Sequence, residues 1–236
     1  MSARRKAPGK GRKKLLAAVL TVAVLGVAGV LVVPQLYASW ANSKAEKAPE
    51  LEDSGKSESF KASDLEGAWK VGGGGSFAGY RVKEVLRGEN VTVTGRSKSV
   101  TGSLNVDGGT LREARFSVDV ADIKTPEATR DVYFRKNAME TDKFPKAGFK
   151  VTKPVDVGAL ADGRTHNVKL KGDLTVHGVQ RPVSFTAKTQ AGPNKTKIVG
   201  SIPITFQDFG VKAPSLGFVK VENQGSVEFS LAAEPS

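Results

Sequence analysis

Few side chains in this chain of 236 residues are of the types that carry out catalysis or bind metals. The sequence contains two histidines, His166 and His177, and no cysteine. The lack of cysteine excludes thiol nucleophiles, disulfides and cysteine-ligated zinc. A metal site normally needs three or four converging ligands, and His177 shares its strand parity with Lys169, Lys171 and Asp173, which indicates a solvent-facing side. We therefore expect no metal site and no catalytic residue, and we assign His177 to a turn in which its ring bonds nearby backbone.

Two short matches to enzyme motifs lack the rest of their motifs. The triplet Asp208-Phe209-Gly210 is found in protein kinases, but no HRD loop accompanies it here. The run Gly72 to Gly75, followed by Ser76, lacks the Gly-Lys-Ser/Thr ending of a phosphate-binding loop. A Gly-x-Ser-x-Gly nucleophile turn is absent as well. The sequence therefore predicts that the protein is not an enzyme.

One stretch, Thr125 to Met139, has the pattern of a short helix. Thr125 is a suitable N-cap, and Pro126 suits the first helical position. Asp131 and Arg135 are four residues apart and can form an exposed ion pair, whereas Arg130 points in another direction. Because an arginine can hold an anion through two parallel hydrogen bonds, Arg130 and Arg135 are either structural ties or contacts for an anionic or polar group.

Most of the remaining chain after Gly67 consists of short runs in which apolar and polar residues alternate. Such alternation, with turn signals at Asp107-Gly108-Gly109, Asp162-Gly163 and Gly192-Pro193-Asn194, is typical of strands with one wet face. We predict an all-β fold of about eight antiparallel strands, closed as a barrel or paired as a sandwich. In the three long C-terminal strands the inward parity carries no Lys, Glu or Asp, and we expect no acid or base on the inward face.

The N-terminal region predicts a membrane segment. Residues 1–14 carry seven basic and no acidic residues, and the 19 residues from Leu15 to Val33 carry no charge. As a helix these would be about 28 Å long, close to a bilayer core of about 30 Å. The positive-inside rule then predicts a cytoplasmic tail at 1–14, a single-pass anchor at 15–33 and an extracytoplasmic domain in the cell membrane. Cleavage of a signal peptide at Ser39-Trp40-Ala41, giving a secreted protein, is the alternative.

Residues 34–64 predict a flexible spacer between this segment and the folded domain, since they are rich in Ala, Ser, Glu, Lys and Pro. The net charge of the chain is +12, and residues 60–236 account for +7 of it. The basic residues are scattered rather than grouped with stacking aromatics, so we expect no nucleic-acid partner. The sequence does not determine the oligomeric state.

Four motifs in order identify a family resemblance. They are the hairpin KGDLTVHGVQRP (Lys171 to Pro182), IKTPEATRDVYFR (Ile123 to Arg135), Phe144-Pro145 and Asp208-Phe209-Gly210. Together the four resemble the YceI-like family of lipid- and polyisoprenoid-binding proteins, over roughly residues 65–232. The resemblance implies an extended, lipocalin-like antiparallel barrel with an apolar tunnel that takes up an isoprenoid chain.

The resemblance also implies a function and a candidate site. We expect an extracytoplasmic protein that sequesters or carries an isoprenoid-type lipid, a polyprenyl phosphate or a quinone, without a further cofactor. The alternative is a structural or adhesive cell-envelope domain with a filled core. Candidates for the mouth of the tunnel are Arg130, Arg135 and His177. The residues expected to line the tunnel are Tyr80, Phe116, Val118, Phe134, Leu174, Phe185, Ile204 and Phe229.

Overall fold

The computed structural model describes residues 35–51, 59–217 and 219–236. In these residues one antiparallel sheet of twelve strands dominates the fold. The predicted tail at 1–14 and the predicted anchor at 15–33 lie outside the described residues. Within the described part of the chain, no helix has both the length and the apolar content that a bilayer crossing requires.

Most strands follow one another directly along the chain, and two helices accompany them. We label the helix at 35–44 α1 and the helix Ala128–Tyr133 α2. The strands are β1 Gly67–Val71, β2 Phe77–Leu86, β3 Glu89–Ser97, β4 Val100–Asp107, β5 Thr110–Asp119, β6 Lys146–Val151, β7 Val155–Asp156, β8 Thr165–Val176, β9 Val179–Ala191, β10 Thr196–Thr205, β11 Ser215–Leu216 and β12 Val219–Pro235. Single 3-10 turns lie at Ala62–Leu65, Val120–Asp122, Gly158–Asp162 and Phe206–Phe209.

The sheet closes on itself because β12 pairs on both of its edges. One edge of β12 pairs with β10, and the other pairs with β2 and, further along, with β1. Strands β1 and β2 therefore lie end to end beside β12, separated by the glycine run 72–75. Strands β3 and β4 lie end to end beyond them, paired with β2 and β1. With β5, β6, β8, β9, β10 and β12 this makes a wall of eight positions, which confirms the predicted closed antiparallel barrel of about eight strands.

At the β3 end of the barrel the wall is completed by the chain that follows β5. Arg96 and Lys124 exchange two backbone hydrogen bonds, each of 3.0 Å from N–H to carbonyl oxygen. Apolar side chains from alternate strand positions point inward and form one large core cluster, which includes Trp69, Phe149 and Leu174. Most of the barrel interior is thus apolar, as expected from the period-two pattern.

Helix α2 begins three residues later than Thr125, the predicted N-cap. The Thr125 hydroxyl still accepts the Glu127 N–H (3.1 Å), and it donates to the Asp131 carboxylate (2.8 Å). Asp131 is 7% exposed and also accepts the Thr125 N–H at 2.9 Å. Asp131 is therefore held by Thr125, in place of the exposed pair with Arg135 that we expected. After Tyr133 the helix widens into a π-helical turn, Phe134–Ala138.

Residues 35–51 differ from the flexible spacer that we predicted for 34–64. Helix α1 packs Ala38 and Ala41, which are 5% and 9% exposed, against a cluster formed by Val82, Val91 and Val93. The small alanine side chains let the helix approach the sheet closely. The Ala-rich residues that predicted a spacer thus form a helix docked on the sheet. Ala38 and Ala41 are three residues apart and therefore lie on the same face of that helix.

The last turn of α1 and the chain that follows it are fastened to β3 by hydrogen bonds. Asn42 bonds to the backbone of β3 twice, accepting the Thr92 N–H (2.7 Å) and donating to the Asn90 carbonyl (3.0 Å). The Glu46 N–H donates to the Thr94 hydroxyl at 2.8 Å. Arg96 donates to the Lys47 carbonyl and lies 4.1 Å above the Phe77 ring. We call residues 35–47 the N-terminal strap.

Candidate functional site

Two adjoining cavities lie inside the barrel. The outer cavity has a volume of about 670 Å³ and is bounded by β2, the long strand β12, α2 and the chain between β10 and β12. The inner cavity has a volume of about 120 Å³ and extends toward the end of the barrel formed by the β4–β5 turn. Ligand pockets typically measure about 300–1,000 Å³, and a dry apolar cavity of about 150 Å³ can hold one benzene ring. The outer cavity therefore has room for a ligand, and the inner one for a short terminal group.

The two cavities share part of their walls. The shared side chains come from β5, β6, β8 and β12, and they are Val118, Ala147, Val176 and Val227. Each of these is small or branched and apolar. A slender ligand that fills the outer cavity thus meets only apolar groups where it would enter the inner one.

All eight predicted tunnel residues lie on the wall of one cavity or both. The outer cavity is lined by Tyr80, Phe134 and Ile204, the inner cavity by Phe116, Leu174, Phe185 and Phe229, and both by Val118. Tyr80 and Phe134 stack at a centroid distance of 5.1 Å. Phe185 packs edge-on against Phe149 (5.1 Å) and Phe229 (5.8 Å). The aromatic rings give each cavity a rigid wall.

The outer cavity also contains an ion pair that sequence reasoning missed. Nη2 of Arg130 on α2 donates to Oε1 of Glu84 on β2 at 2.8 Å, and the two side chains are 24% and 5% exposed. We expected no acid on the inward face, and Glu84 shows that this expectation was wrong. The alternation along β2 could have predicted this, because Glu84 follows Tyr80 and Val82 at intervals of two residues, and both of these line the outer cavity.

Burial controls the protonation of this pair. Desolvation raises the pKa of Glu84, and the neighbouring guanidinium of Arg130 opposes the rise. The pKa of Tyr80 is also raised by burial. Desolvation is the largest effect on Arg130 and lowers its pKa, but Glu84, Tyr37, Glu127 and Tyr80 together outweigh it, so the pKa of Arg130 lies above its ordinary value. The guanidinium is thus a permanent charge, already balanced in part by Glu84.

A second polar contact joins the strap to α2 at the cavity mouth. The Tyr37 hydroxyl donates to the Glu127 carboxylate, and both residues line the outer cavity. Partial burial and this hydrogen bond raise the pKa of Tyr37. Arg87 and Lys212 line the same mouth and are exposed. The charged side chains that line the two cavities therefore all belong to the outer one.

Comparison with known proteins agrees with this architecture. The family model described as "YceI-like domain" matches residues 69–233. The chain belongs to the YceI-like family.

Relatives of this YceI-like chain include bacterial proteins named UPF0312 proteins. It is 32% identical to one from Pseudomonas fluorescens over 127 residues, which are 50% of this chain and 64% of that protein. It is 28% identical to one from Shewanella denitrificans over 142 residues, which are 55% of this chain and 71% of that protein. The chain thus spans somewhat under two thirds of the Pseudomonas relative.

Two solved structures have the same fold as this YceI-like domain. One is a polyisoprenoid binding domain from Saccharophagus degradans implicated in plant cell wall breakdown, with a TM-score of 0.59 and 20% identity, covering 72% of this chain and 100% of that one. The other is BcnA from Burkholderia cenocepacia, with a TM-score of 0.50 and 17% identity, covering 65% of this chain and 95% of that one. At these identities the comparison establishes the fold.

Two of the predicted mouth residues of the YceI-like domain lie elsewhere. Of the three candidates, Arg130 lines the outer cavity, while Arg135 and His177 are absent from the walls of both cavities in the described residues. His177 and Gly178 form the two-residue turn between β8 and β9, with φ of 51° and 72°. Nε2 of His177 lies 3.2 Å from the Glu140 carboxylate, and its ring packs edge-on against Phe144 at 4.5 Å.

Parts of three family motifs meet at one corner outside the cavities: the turn of His177 and Gly178, Phe144, and the run Asp208 to Gly210. Arg181, after the turn of His177 and Gly178, donates to the Asp208 carbonyl at 3.0 Å. Gly210 has a φ of 71°, and a Cβ at this position would lie 3.6 Å from Nδ1 of His177. These three motifs therefore shape one corner of the barrel, whereas the fourth motif, Ile123 to Arg135, lines the outer cavity.

Proposed function

We propose that this protein binds the hydrocarbon tail of an isoprenoid-type lipid in the two adjoining cavities, and so sequesters or carries that lipid outside the cytoplasm. The observation that carries the proposal is a largely apolar space, about 670 Å³ in its outer part, whose charged side chains all belong to the outer cavity. Burial of a branched hydrocarbon releases about 25 cal/mol per Å² of apolar surface and needs no polar partner. The polyisoprenoid binding described for the Saccharophagus domain supports the same ligand class.

The ion pair at the cavity mouth favours an uncharged head group. Arg130 already donates to Glu84, so a phosphate would compete with a carboxylate for the guanidinium. A quinone carbonyl or a prenol hydroxyl can instead take a single hydrogen bond from the pair without separating two buried charges. A polyprenyl phosphate would have to rely on the exposed Arg87 and Lys212. We therefore rank a quinone-type ligand above a phosphorylated one.

We further propose that the domain carries out no reaction on this lipid. Among the described residues no cluster of three or more His, Asp or Glu side chains could hold a metal ion. The Glu84 carboxylate is engaged by Arg130. Its place at the mouth suits orientation of a head group rather than attack on a hydrocarbon tail.

The test is native mass spectrometry of the protein after mild, lipid-retaining extraction. We expect bound masses that differ by one isoprene unit and that match quinones. Phe185→Asp should abolish retention, because it puts a charge on the inner wall, where Phe185 is 7% exposed. Ser184→Asp, on the adjacent outward-facing position of β9, is the matched control and should retain the lipid.

A second variant keeps the test decisive if Phe185→Asp does not fold. Ile204 lines the outer cavity and is only partly buried, so Ile204→Asp should fold and still lose lipid. A protein without bound lipid in every preparation would overturn the proposal and favour a structural or adhesive domain. Retention of lipid by folded Ile204→Asp would place the ligand outside the cavities.

A further inference from the structure

An apolar patch borders the mouth of the outer cavity. The exposed large hydrophobic side chains of the described residues are Leu36 and Trp40 on α1 and Val132 on α2, with exposures of 65%, 42% and 43%. The two helices that carry these residues are joined by the hydrogen bond from Tyr37 to Glu127, and we call the three residues together the apolar patch. Tyr37, whose ring centroid lies 5.6 Å from that of Trp40, lines the cavity mouth, as does Arg130 of α2. The patch therefore lies beside the opening through which a ligand would pass.

The strap fixes where the upstream chain leaves the barrel. Ala38 and Ala41 are buried against the sheet, and Asn42 is bonded twice to β3. The uncharged stretch 15–33 ends two residues before residue 35, the first described residue. Two residues span at most about 7 Å, so this stretch ends close to the cavity mouth. If it crosses a bilayer, the mouth must lie near the bilayer surface.

The charges beside the patch suit an anionic surface. Arg87 and Lys212 are exposed on the cavity mouth, and Arg135 and Lys136 lie on the turn that continues α2. Basic side chains near a membrane of anionic lipids are each attracted by about 1 kcal/mol. Tryptophan is enriched where bilayer and water meet, which is where Trp40 would lie. An exposed apolar patch flanked by basic residues is typical of a membrane contact.

From these observations we infer that the apolar patch and the cavity mouth rest on the surface of an anionic lipid bilayer. The strap then holds the domain against the membrane, in contrast to the spacer we predicted, which would hold it away. A lipid would move between the bilayer and the outer cavity without crossing water; this consequence rests on the proposed function, whereas the membrane contact itself does not.

The test uses the lack of cysteine in the full chain. Val132→Cys introduces a single thiol in the apolar patch, and Asn194→Cys introduces one on the exposed β9–β10 turn at the other end of the barrel. Each variant is labelled with a polarity-sensitive fluorophore and reconstituted into vesicles of phosphatidylethanolamine and phosphatidylglycerol. We expect blue-shifted emission and several-fold protection from a water-soluble quencher at position 132, and fully hydrated emission at position 194.

A further variant tests whether the patch causes the contact. Leu36→Asp, in the Val132→Cys background, should return the emission at position 132 toward that of the control. Equal, hydrated emission at positions 132 and 194 in the otherwise unchanged chain would overturn the inference, and so would an unchanged blue shift in the Leu36→Asp protein. Native mass spectrometry on the same samples measures bound lipid separately, so loss of the membrane contact with lipid retained contradicts only the contact.

Discussion

At the scale of single residues, the site depends on one pair of opposite charges in an apolar surrounding. Glu84 is almost fully buried and Arg130 is three quarters buried. Placing two charges away from water costs several kcal/mol each, and their attraction offsets this only while both are present. The pair therefore adds little net stability, but removal of one partner leaves the other buried without compensation. Its benefit is a fixed polar anchor at the cavity mouth.

Removal of Arg130 should destabilise the domain in a pH-dependent way. We expect Arg130→Ala to cost about 2–4 kcal/mol at neutral pH, near the lower part of the range for a broken buried pair because Arg130 is partly exposed. Burial raises the pKa of Glu84 in the folded state, and without Arg130 it rises further. A carboxyl group whose pKa is higher in the folded than in the unfolded state favours folding at low pH. This contribution is lost as the pH rises through the pKa of the folded state. The loss in Arg130→Ala should therefore shrink in acid.

Urea unfolding at neutral and acidic pH measures this effect. The double variant Glu84→Gln with Arg130→Met removes both charges and should recover most of the stability at neutral pH. A cost for Arg130→Ala that is the same at both pH values, or that persists in the double variant, would show that Arg130 acts through packing alone.

At the scale of elements, the hairpin β8–β9 shows why its residues were recognisable in the sequence. Both residues of its turn have positive φ, as a type I′ turn requires, and Gly at the second position suits this turn. The sequence therefore predicted the hairpin correctly from local chemistry. It could not predict that the turn packs on Phe144, since this contact joins residues that are far apart in the chain.

Gly178→Ala should destabilise the domain through both backbone and packing. Gly178 has a φ of 72°, and a Cβ there would lie 2.5 Å from the Phe144 ring. We expect a loss of about 2–6 kcal/mol, from about 1–3 for the left-handed backbone and a similar amount for the clash. Gly88→Ala is the matched control, because Gly88 has a φ of 90° but a Cβ there would meet no atom within 4 Å.

Thermal or urea unfolding of the two variants separates these contributions. Gly88→Ala should lose only the backbone part, about 1–3 kcal/mol. Equal losses in both variants would mean that the Phe144 ring moves aside freely and that the corner of family motifs is loosely packed.

At the scale of the whole molecule, the barrel was predictable and the strap was not. Alternation in the strands indicated which residues face inward, and the seven predicted tunnel residues that lie in strands all line a cavity. The same rule applied to β2 would have found Glu84. Alternation carries no information about α1, whose docking depends on the shape of a surface built by β2 and β3. The composition of residues 34–64 predicted a spacer because it is poor in large apolar residues. The buried face of α1 needs only two small alanines, Ala38 and Ala41.

The junction of the two cavities should set the length of tail that the protein accepts. Ala147 on β6 lines both cavities, and a phenylalanine there would fill the passage between them. We expect Ala147→Phe to close off the inner space of about 120 Å³ and to shift the bound lipids to tails shorter by about one isoprene unit, since a cavity of about 150 Å³ holds a group of benzene size.

Lys150→Phe, on the exposed face of the same strand, is the control for Ala147→Phe and should leave the distribution of bound tail lengths unchanged. Native mass spectrometry with a mixture of quinones of different tail lengths measures the shift. An unchanged distribution in folded Ala147→Phe would mean that the tail ends in the outer cavity and that the inner cavity belongs to the core.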